Sequence, residues 1–279
     1  MVPGHAVPWV TRAPYAPCVI PRVVAAVAVV GLLGACSHGT PSASTATATH
    51  APPISTKKGA VVPATALANR VSAAVLRAGS ARFTLSSTLI GGAVANGSVI
   101  TSVGDPRLSI ATTGGTPLKA VILPGGYYVD PGQPQNGKHW IKLGSVSGTI
   151  TMKLVGPVIG RLVQSADVSS LVGGWSGAGT FRVGPTSKVA GVRATEYDGS
   201  LPKSAVVSGI RSELSSILGG SVGGAKVRLW LDAAGRPVRT STVLSLDGSP
   251  VTTTVTYSSW GHGPAISAPP SSDVLSFGF

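Results

Sequence analysis

The sequence is poor in cysteine and in acidic residues. These two shortages limit the disulfides and the cation sites that the protein can form. One of its two cysteines, Cys18, lies in an N-terminal segment with the features of a signal peptide, so removal of that segment leaves Cys36 alone and allows no internal disulfide. Among the nine acidic residues, Glu196 and Asp198 form the one close pair. On a strand they share a face and could hold a cation, but two solvated side chains are the favoured interpretation.

Motifs for catalysis, metal binding and phosphate loops are also missing. Residues 144–148 (GSVSG) carry valine where the nucleophile of a G-x-S-x-G motif stands. The glycine-rich residues 219–224 lack the lysine of a phosphate-binding loop. His139 and His262 lie far apart in sequence and do not make a zinc site. We therefore expect no catalytic residue, no metal site and no cofactor, with a scattered Ser/His/Asp set as the less favoured alternative.

Negative charge is scarce: the sequence has 22 lysines and arginines but only nine acidic residues, and its net charge is +13. Arg12 and Arg22 of the leader account for two of these charges, so 11 remain after its removal. A basic chain suits an anionic membrane surface or nucleic acid, although many exported proteins are basic without a specific partner. Because the basic residues are scattered and the chain is exported, we expect no nucleic-acid partner.

The apolar run near the N terminus, residues 23–33, is too short for a membrane span, which needs about 20 residues. An arginine before the run and small residues after it predict a signal peptide over residues 1–35, with a transmembrane anchor as the alternative. Residues 33–36 (LGAC) resemble the bacterial lipobox. That resemblance implies cleavage after Ala35 and transfer of a diacylglyceryl group to Cys36. The two acyl chains would anchor the protein stably on the extracytoplasmic face of the cell membrane.

Residues 36–62 are rich in Ser, Thr, Ala and Pro and have no helical or alternating apolar pattern. This composition predicts a disordered tether behind the lipidated cysteine. Around 25 flexible residues give a root-mean-square reach of about 25–30 Å. Sugars on its Thr/Pro-rich part are an open alternative.

Residues 63–279 have the periodic apolar patterns of a folded domain. Helical periodicity begins at Ala64 and ends before Gly79, a residue that suits a helix C-cap. Helical spacing returns in residues 154–163 and 201–218. Alternation typical of strands occupies the following ranges: 82–89, 98–103, 107–112, 118–123, 127–129, 139–143, 179–183, 189–197, 226–231, 238–246 and 251–257.

This order predicts an α+β fold. Short strands that follow one another in sequence form an antiparallel sheet, and its apolar face must be buried against the apolar helix faces. We therefore expect a strongly curved antiparallel β-sheet, a half-open barrel, with helices on its concave face.

Several segments of the domain resemble mycobacterial lipoproteins of the LppX/LprG type, which are relatives of the LolA lipoprotein carriers. The segments are 81–84 (ARFT), 138–142 (KHWIK), 228–239 (RLWLDAAGRPVR), 257–261 (YSSWG) and 266–270 (ISAPP). The resemblance covers residues 64–272. It implies a LolA-like fold with an apolar cavity for the acyl chains of a lipid or glycolipid. It also implies lipid transport or presentation by a monomer that meets an envelope transporter.

The candidate ligand-binding residues lie on the inner helix faces and on one face of the strands. They are Val71, Val75, Phe83, Leu85, Leu89, Leu108, Ile110, Val158, Ile159, Leu162, Ile210, Leu214, Leu229 and Leu231. Core packing is the favoured role of the aromatic residues Tyr127, Tyr128, Trp140, Trp175 and Trp230. A non-catalytic envelope interaction or sensor module with a filled core remains the alternative. A void above roughly 300 Å³ lined by Val, Leu and Ile would favour lipid binding.

Overall fold

The computed structural model describes residues 53–88, 94–102, 107–113, 117–143, 166–175, 178–208, 222–246 and 248–276. Their dominant feature is one sheet of thirteen strands. In chain order the strands are β1 Val61–Pro63, β2 Ser80–Ser87, β3 Val94–Ile100, β4 Arg107–Thr113, β5 Lys119–Leu123, β6 Gly126–Asp130, β7 Trp140–Leu143, β8 Thr180–Val189, β9 Val192–Leu201, β10 Val222–Leu231, β11 Pro237–Leu246, β12 Ser249–Ser258 and β13 Val274–Ser276.

The sheet is antiparallel except at one edge. Its spatial order is β1-β8-β9-β10-β11-β12-β2-β3-β4-β5-β6-β7-β13. Only β13 runs parallel to its neighbour, β7. The predicted antiparallel sheet is confirmed in this form, and the described part of the fold is mostly β with few helices.

Helices are few in the described residues: α1 Ala64–Ala78, α2 Val168–Gly173, α3 Lys203–Ser208 and a 3₁₀ turn at Ser271–Asp273. In the described ranges, none of them has the length and apolar character that a bilayer crossing requires. α1 packs on β1, β2 and α2, and α3 packs on β9 and β10.

The long helix α1 confirms the sequence prediction. Its apolar residues recur every three or four positions, so Leu67, Val71 and Val75 lie on one stripe and are fully buried. Gly79 ends the helix with φ = 75°, a left-handed conformation that glycine adopts without strain. Its N–H donates to the Val75 carbonyl at 3.0 Å. The helix is therefore held with its apolar stripe against the sheet.

Apolar residues that face each other across neighbouring strands form continuous rows on one face of the sheet. One row runs from Tyr257 through Phe83, Gly97 and Ile110 to Ala120. Strand alternation turns the residues between them to the other face. This register gives the sheet one apolar face, which forms most of the core.

The hairpin of β8 and β9 differs from the sequence prediction, which placed strands at 179–183 and 189–197. β8 continues to Val189 through Pro185, with a register shift between Val183 and Thr186. The turn lies at Ala190 and Gly191 instead. Proline is tolerated here because the pairing of β8 with β1 and the residues before it ends at Val183, so the strand edge at Pro185 is free.

Other boundaries also differ from the predicted ranges. β9 reaches Leu201 and α3 begins at Lys203, so the predicted helix 201–218 starts later than expected. Residues 209–218 of that helix lie outside the described residues, as does the whole predicted helix 154–163. β1 starts inside the range 36–62 that the sequence predicts as disordered.

The C-terminal strand β13 was not predicted either. It is held at the sheet edge by residues of β7 and the loop before it. The backbone N–H of His139 donates to Asp273 Oδ1 at 2.9 Å, and Lys138 Nζ donates to the Ser272 carbonyl. A three-residue strand shows too little alternation to be recognised from sequence.

Candidate functional site

The predicted ligand-binding residues that the structure describes all belong to one buried cluster. They are Val71, Val75, Phe83, Leu85, Leu108, Ile110, Leu229 and Leu231. The remaining predicted residues, Leu89, Val158, Ile159, Leu162, Ile210 and Leu214, lie outside the described residues. So do Ala35 and Cys36. The shared burial agrees with either a core role or a cavity role.

Trp175, which follows α2, is the largest fully buried side chain of the described residues. Its indole stacks on Phe181 of β8 with ring centroids 4.7 Å apart. Its Nε1–H is buried and has no hydrogen-bond acceptor among the described residues. A buried donor without an acceptor costs about 1–3 kcal/mol, so this is an uncommon feature in a folded protein.

Tyr257 and Trp260, two residues of the 257–261 segment, connect three parts of the domain. Tyr257 donates through its hydroxyl to the Ala166 carbonyl at 3.2 Å, which ties β12 to the chain before α2. Trp260 stacks on Tyr257 and donates from Nε1 to the Pro237 carbonyl at 2.8 Å. Burial first, and the negative charge of Asp167 second, raise the pKa of Tyr257, while its hydrogen bond with Thr240 opposes the rise.

A pocket of about 420 Å³ lies beside the buried cluster of candidate ligand-binding residues, near the turn between β10 and β11. Its lining comes from six parts of the chain: the segment before β1, α1, β8, β9, the end of β10 and the β10–β11 turn. The lining residues are Pro53, Ile54, Thr56, Arg70, Thr186, Arg193, Thr195, Tyr197, Leu231, Asp232, Ala233 and Gly235. The lining combines apolar side chains with arginine, hydroxyl groups and a turn, so it is not the Val/Leu/Ile cavity that the sequence predicts.

The segment before β1 forms one wall of the pocket. Ile54 packs against the core, and the Ser55 carbonyl accepts a hydrogen bond from the Tyr197 hydroxyl at 3.1 Å. Further along, Gly59 and Ala60 exchange backbone hydrogen bonds with Val183 at 2.8 Å each. Residues 53–62 are thus part of the domain, whereas the sequence assigned them to the tether.

Arg70 of α1 joins the helix to the β10–β11 turn. It donates from Nη2 to the Ala233 carbonyl at 3.3 Å. Gly235 makes room for it: a Cβ there would lie 2.6 Å from Arg70 Nε, and the residue's φ of 85° also favours glycine. Within the turn, Asp232 accepts from the backbone N–H and from Nε of Arg236, both at 2.8 Å.

The pocket is electropositive. Asp232 lies 2.8 Å from Nη2 of Arg236, so its charge is compensated inside the turn. Arg193 makes no ion pair within the described residues. Burial raises the pKa of Tyr197, and the positive charge of Arg70, which lines the same pocket, partly opposes that rise.

The acidic pair of β9 takes no part in this pocket. Arg228 Nε lies 3.1 Å from Asp198 and 4.0 Å from Glu196, so a single arginine pairs with both carboxylates. In the parts of the chain that the structure describes, no group of three His, Cys, Asp or Glu side chains lies close enough to hold a metal ion.

Solved structures similar to this chain include the lipoprotein LprF from Mycobacterium bovis, at 14% identity and a TM-score of 0.46, covering 74% of this chain and 96% of LprF. LppX from Mycobacterium tuberculosis matches at 16% identity and a TM-score of 0.43, covering 72% of this chain and 98% of LppX. The Pseudomonas aeruginosa MucA/MucB complex matches at 15% identity and a TM-score of 0.34, covering 73% of this chain and 59% of the matched chain. At these identities the likeness concerns the fold alone.

Two other comparisons gave no match. No protein-family model matches the sequence. No curated protein matches it either.

Sequence reasoning missed the pocket because its residues come from distant parts of the chain. Arg70 falls within the helical pattern that begins at Ala64 and Arg193 within the strand pattern 189–197, and neither pattern indicates a pocket. The one usable signal was Gly235 within the DAAG turn, since glycine there permits a close approach by another side chain. Nothing in the sequence indicates which side chain approaches.

Proposed function

We propose that this protein is a membrane-anchored envelope lipoprotein whose domain binds the acyl chains of an ester lipid in its apolar interior. The anchor part of the proposal rests on the signal peptide and on the LGAC sequence that ends at Cys36. The binding part rests on the domain. We further propose that the sheet is strongly curved and that its helices lie on the concave side.

The support for lipid binding begins with the apolar face that extends across the sheet. The buried cluster that contains the apolar stripe of α1 also contains residues of β1 to β6, of β8 to β10 and of β12. An apolar layer between a sheet and helices is a common place for ligand pockets. An aliphatic chain can replace side chains wherever the two layers are not in contact.

The observation that carries the proposal is the unpartnered Nε1–H of Trp175. A hydrogen-bond donor buried among aliphatic and aromatic groups is stabilised by an acceptor that arrives with apolar surface. The carbonyl oxygen of an acyl ester, flanked by methylene groups, is such an acceptor. Loss of this carbonyl, or of the indole N–H, would therefore weaken binding selectively.

The test uses the whole exported chain carrying Cys36→Ala, so that no attached lipid competes with the probe. Affinities for methyl dodecanoate and for dodecyl methyl ether, which lacks the carbonyl, are measured with and without Trp175→Phe. We expect Trp175→Phe to weaken ester binding roughly three- to tenfold, because one hydrogen bond is lost, and to leave ether binding unchanged.

Trp260→Phe is the matched control, since the Nε1–H of Trp260 is already bonded to the Pro237 carbonyl. It should leave the ratio of ester to ether affinity unchanged. Binding of neither probe, together with no co-purifying lipid in protein from the native host, would refute lipid binding. Equal losses for ester and ether would refute only the role of Trp175.

A packed interior would instead favour the alternative, a non-catalytic interaction or sensor module. One observation supports it: around Phe181 the interior is filled by the protein itself. The ring stacks on Trp175, and a Cβ on the facing Gly199 would lie 2.6 Å from Phe181 Cδ1. Lipid found by mass spectrometry in protein from the native host separates the two functions.

A further inference from the structure

We propose that the pocket lined by Arg70 and Arg193 binds a phosphate-bearing group. This site borders the acyl-binding interior, with which it shares Tyr197 and Leu231, but its proposal does not depend on that function. The phosphate could belong to a lipid headgroup or to a soluble phosphate ester, because both present the same anionic oxygens.

Like charges at the pocket point to an anionic ligand. Arg193 of β9 stands directly opposite Lys188 of β8 in the antiparallel register. Residues in such positions have side chains on the same face, and two like charges there repel each other. The register continues to the Thr186 and Thr195 pair of the pocket lining, so both cations face the pocket side of the sheet. A bound anion would relieve this repulsion.

The lining has little negative charge of its own to compensate these cations. Asp232 is its one acidic residue among the described lining residues, and Arg236 already neutralises it. Arg70 donates from Nη2 to a backbone carbonyl, which holds its guanidinium in place without cancelling its charge. The guanidinium groups of Arg70 and Arg193 therefore remain as partners for an anion, and their planar donor geometry suits phosphate.

Hydroxyl groups add neutral donors. Thr186 Oγ1 and Thr195 Oγ1 lie 2.9 Å apart and share one hydrogen bond. Each hydroxyl carries one hydrogen, and the bond between the two hydroxyls uses only one of them. The other hydrogen can therefore donate to a ligand. Phosphate has more acceptor oxygens than a carboxylate, and two guanidinium groups with a hydroxyl match it better. The volume, about 420 Å³, is within the usual range for small ligands.

The experiment again uses the whole exported chain with Cys36→Ala. Calorimetry measures binding of glycerol 3-phosphate, with glycerol as the uncharged match. It also measures monomeric dihexanoyl phosphatidic acid, with dihexanoylglycerol as its match. We expect at least one phosphate probe to bind more tightly than its uncharged match. Its affinity should fall about tenfold for Arg193→Gln and further for Lys188→Gln combined with Arg193→Gln.

Arg82→Gln is the matched control because it removes the same charge from an exposed residue of β2 whose neighbours, Ala81 and Phe83, are the ones that face the core. It should leave both affinities unchanged. Loss with Arg193→Gln for both phosphate probes supports a site for phosphate esters in general, and loss for the lipid probe alone supports a headgroup site. The proposal is overturned if neither phosphate probe binds better than its uncharged match, or if Arg82→Gln weakens binding as much as Arg193→Gln.

Discussion

The ring of Phe83 on β2 lies over the Cα of Gly97 on β3, where the two residues face each other in register. A Cβ on Gly97 would overlap the ring, with Phe83 Cε1 only 2.9 Å away, and would also meet the Ser109 carbonyl oxygen. The same arrangement occurs between Phe181 of β8 and Gly199 of β9. In both pairs the absent side chain of glycine is what gives the aromatic ring its place in the core.

Gly97→Ala should therefore destabilise the domain. One methyl group at this position forces the ring or the neighbouring strand to move, and overpacking of this kind costs about 1–3 kcal/mol. Urea unfolding followed by tryptophan fluorescence measures the loss. Gly173→Ala is the control, since its added Cβ meets no atom within 4 Å beyond its own helix and chain neighbours, and it should leave stability unchanged or raise it by up to about 1 kcal/mol. Equal stability of the two variants would contradict the assignment.

Tyr257 should make the domain less stable in alkali. Its folded pKa is raised by burial above the ordinary value of 10.0, so below pH 10 it is neutral in both states. Above pH 10 the unfolded tyrosine loses its proton while the folded one keeps it. The free energy of unfolding then falls by about 1.4 kcal/mol per pH unit from this residue.

Urea unfolding of the wild type and of Tyr257→Phe between pH 8 and pH 11 checks this sign. The difference in stability between the two proteins should be constant up to about pH 10 and should shrink above it. Tyr197 shifts in the same direction and remains in both proteins, so it cancels from the difference. A difference that stays constant up to pH 11 would show that Tyr257 ionises normally.

Asp232 should contribute much more to stability than Asp198, although each is paired with an arginine. Asp232 is nearly buried and accepts two hydrogen bonds from Arg236 that close the β10–β11 turn, whereas Asp198 and Arg228 are largely exposed. We expect Asp232→Ala to cost about 1–3 kcal/mol and Asp198→Ala less than about 1 kcal/mol. Thermal unfolding at matched pH compares them, and similar losses would contradict the turn's importance.

Cys36 should be the residue that attaches the protein to the membrane. In the native host, Cys36→Ala should move the protein from the detergent phase to the aqueous phase in a Triton X-114 partition, since a diacylglyceryl group can no longer be attached. Mass spectrometry of the wild-type N-terminal peptide should show a lipid-modified cysteine. An unmodified Cys36 in membrane-bound wild type would refute the anchor.

Elements with strong local periodicity were predicted well from the sequence. The stripe of Leu67, Val71 and Val75 indicates α1, and Gly79 indicates its end, because helix packing and capping depend on residues within a few positions of each other. The alternating strands of the meander from β2 to β7 follow for the same reason. The hairpin turn at Ala190 and Gly191 was misplaced because Pro185 is a strong turn signal that a free strand edge overrides.

The candidate site was predicted only in part. Phe83, Leu85, Leu229 and Leu231 were placed correctly on the buried face, since alternation alone decides which residues share a face. The unpartnered donor of Trp175 could not be foreseen, because whether a buried polar atom finds an acceptor depends on the whole surrounding shell. The electropositive pocket needs residues separated by well over a hundred positions.

Local chemistry along the chain determined the predicted export signal, the antiparallel strands, the helix α1 and the apolar face of the domain, because each depends on neighbours in sequence. The tertiary structure alone decided that residues 53–62 join the domain and that Arg70 meets the β10–β11 turn beside Arg193. These contacts depend on the strand order β1-β8-β9-β10, which brings the first strand of the domain beside the eighth. Long-range pairing of this kind depends on the packing of the whole core. A short stretch of sequence does not contain that information.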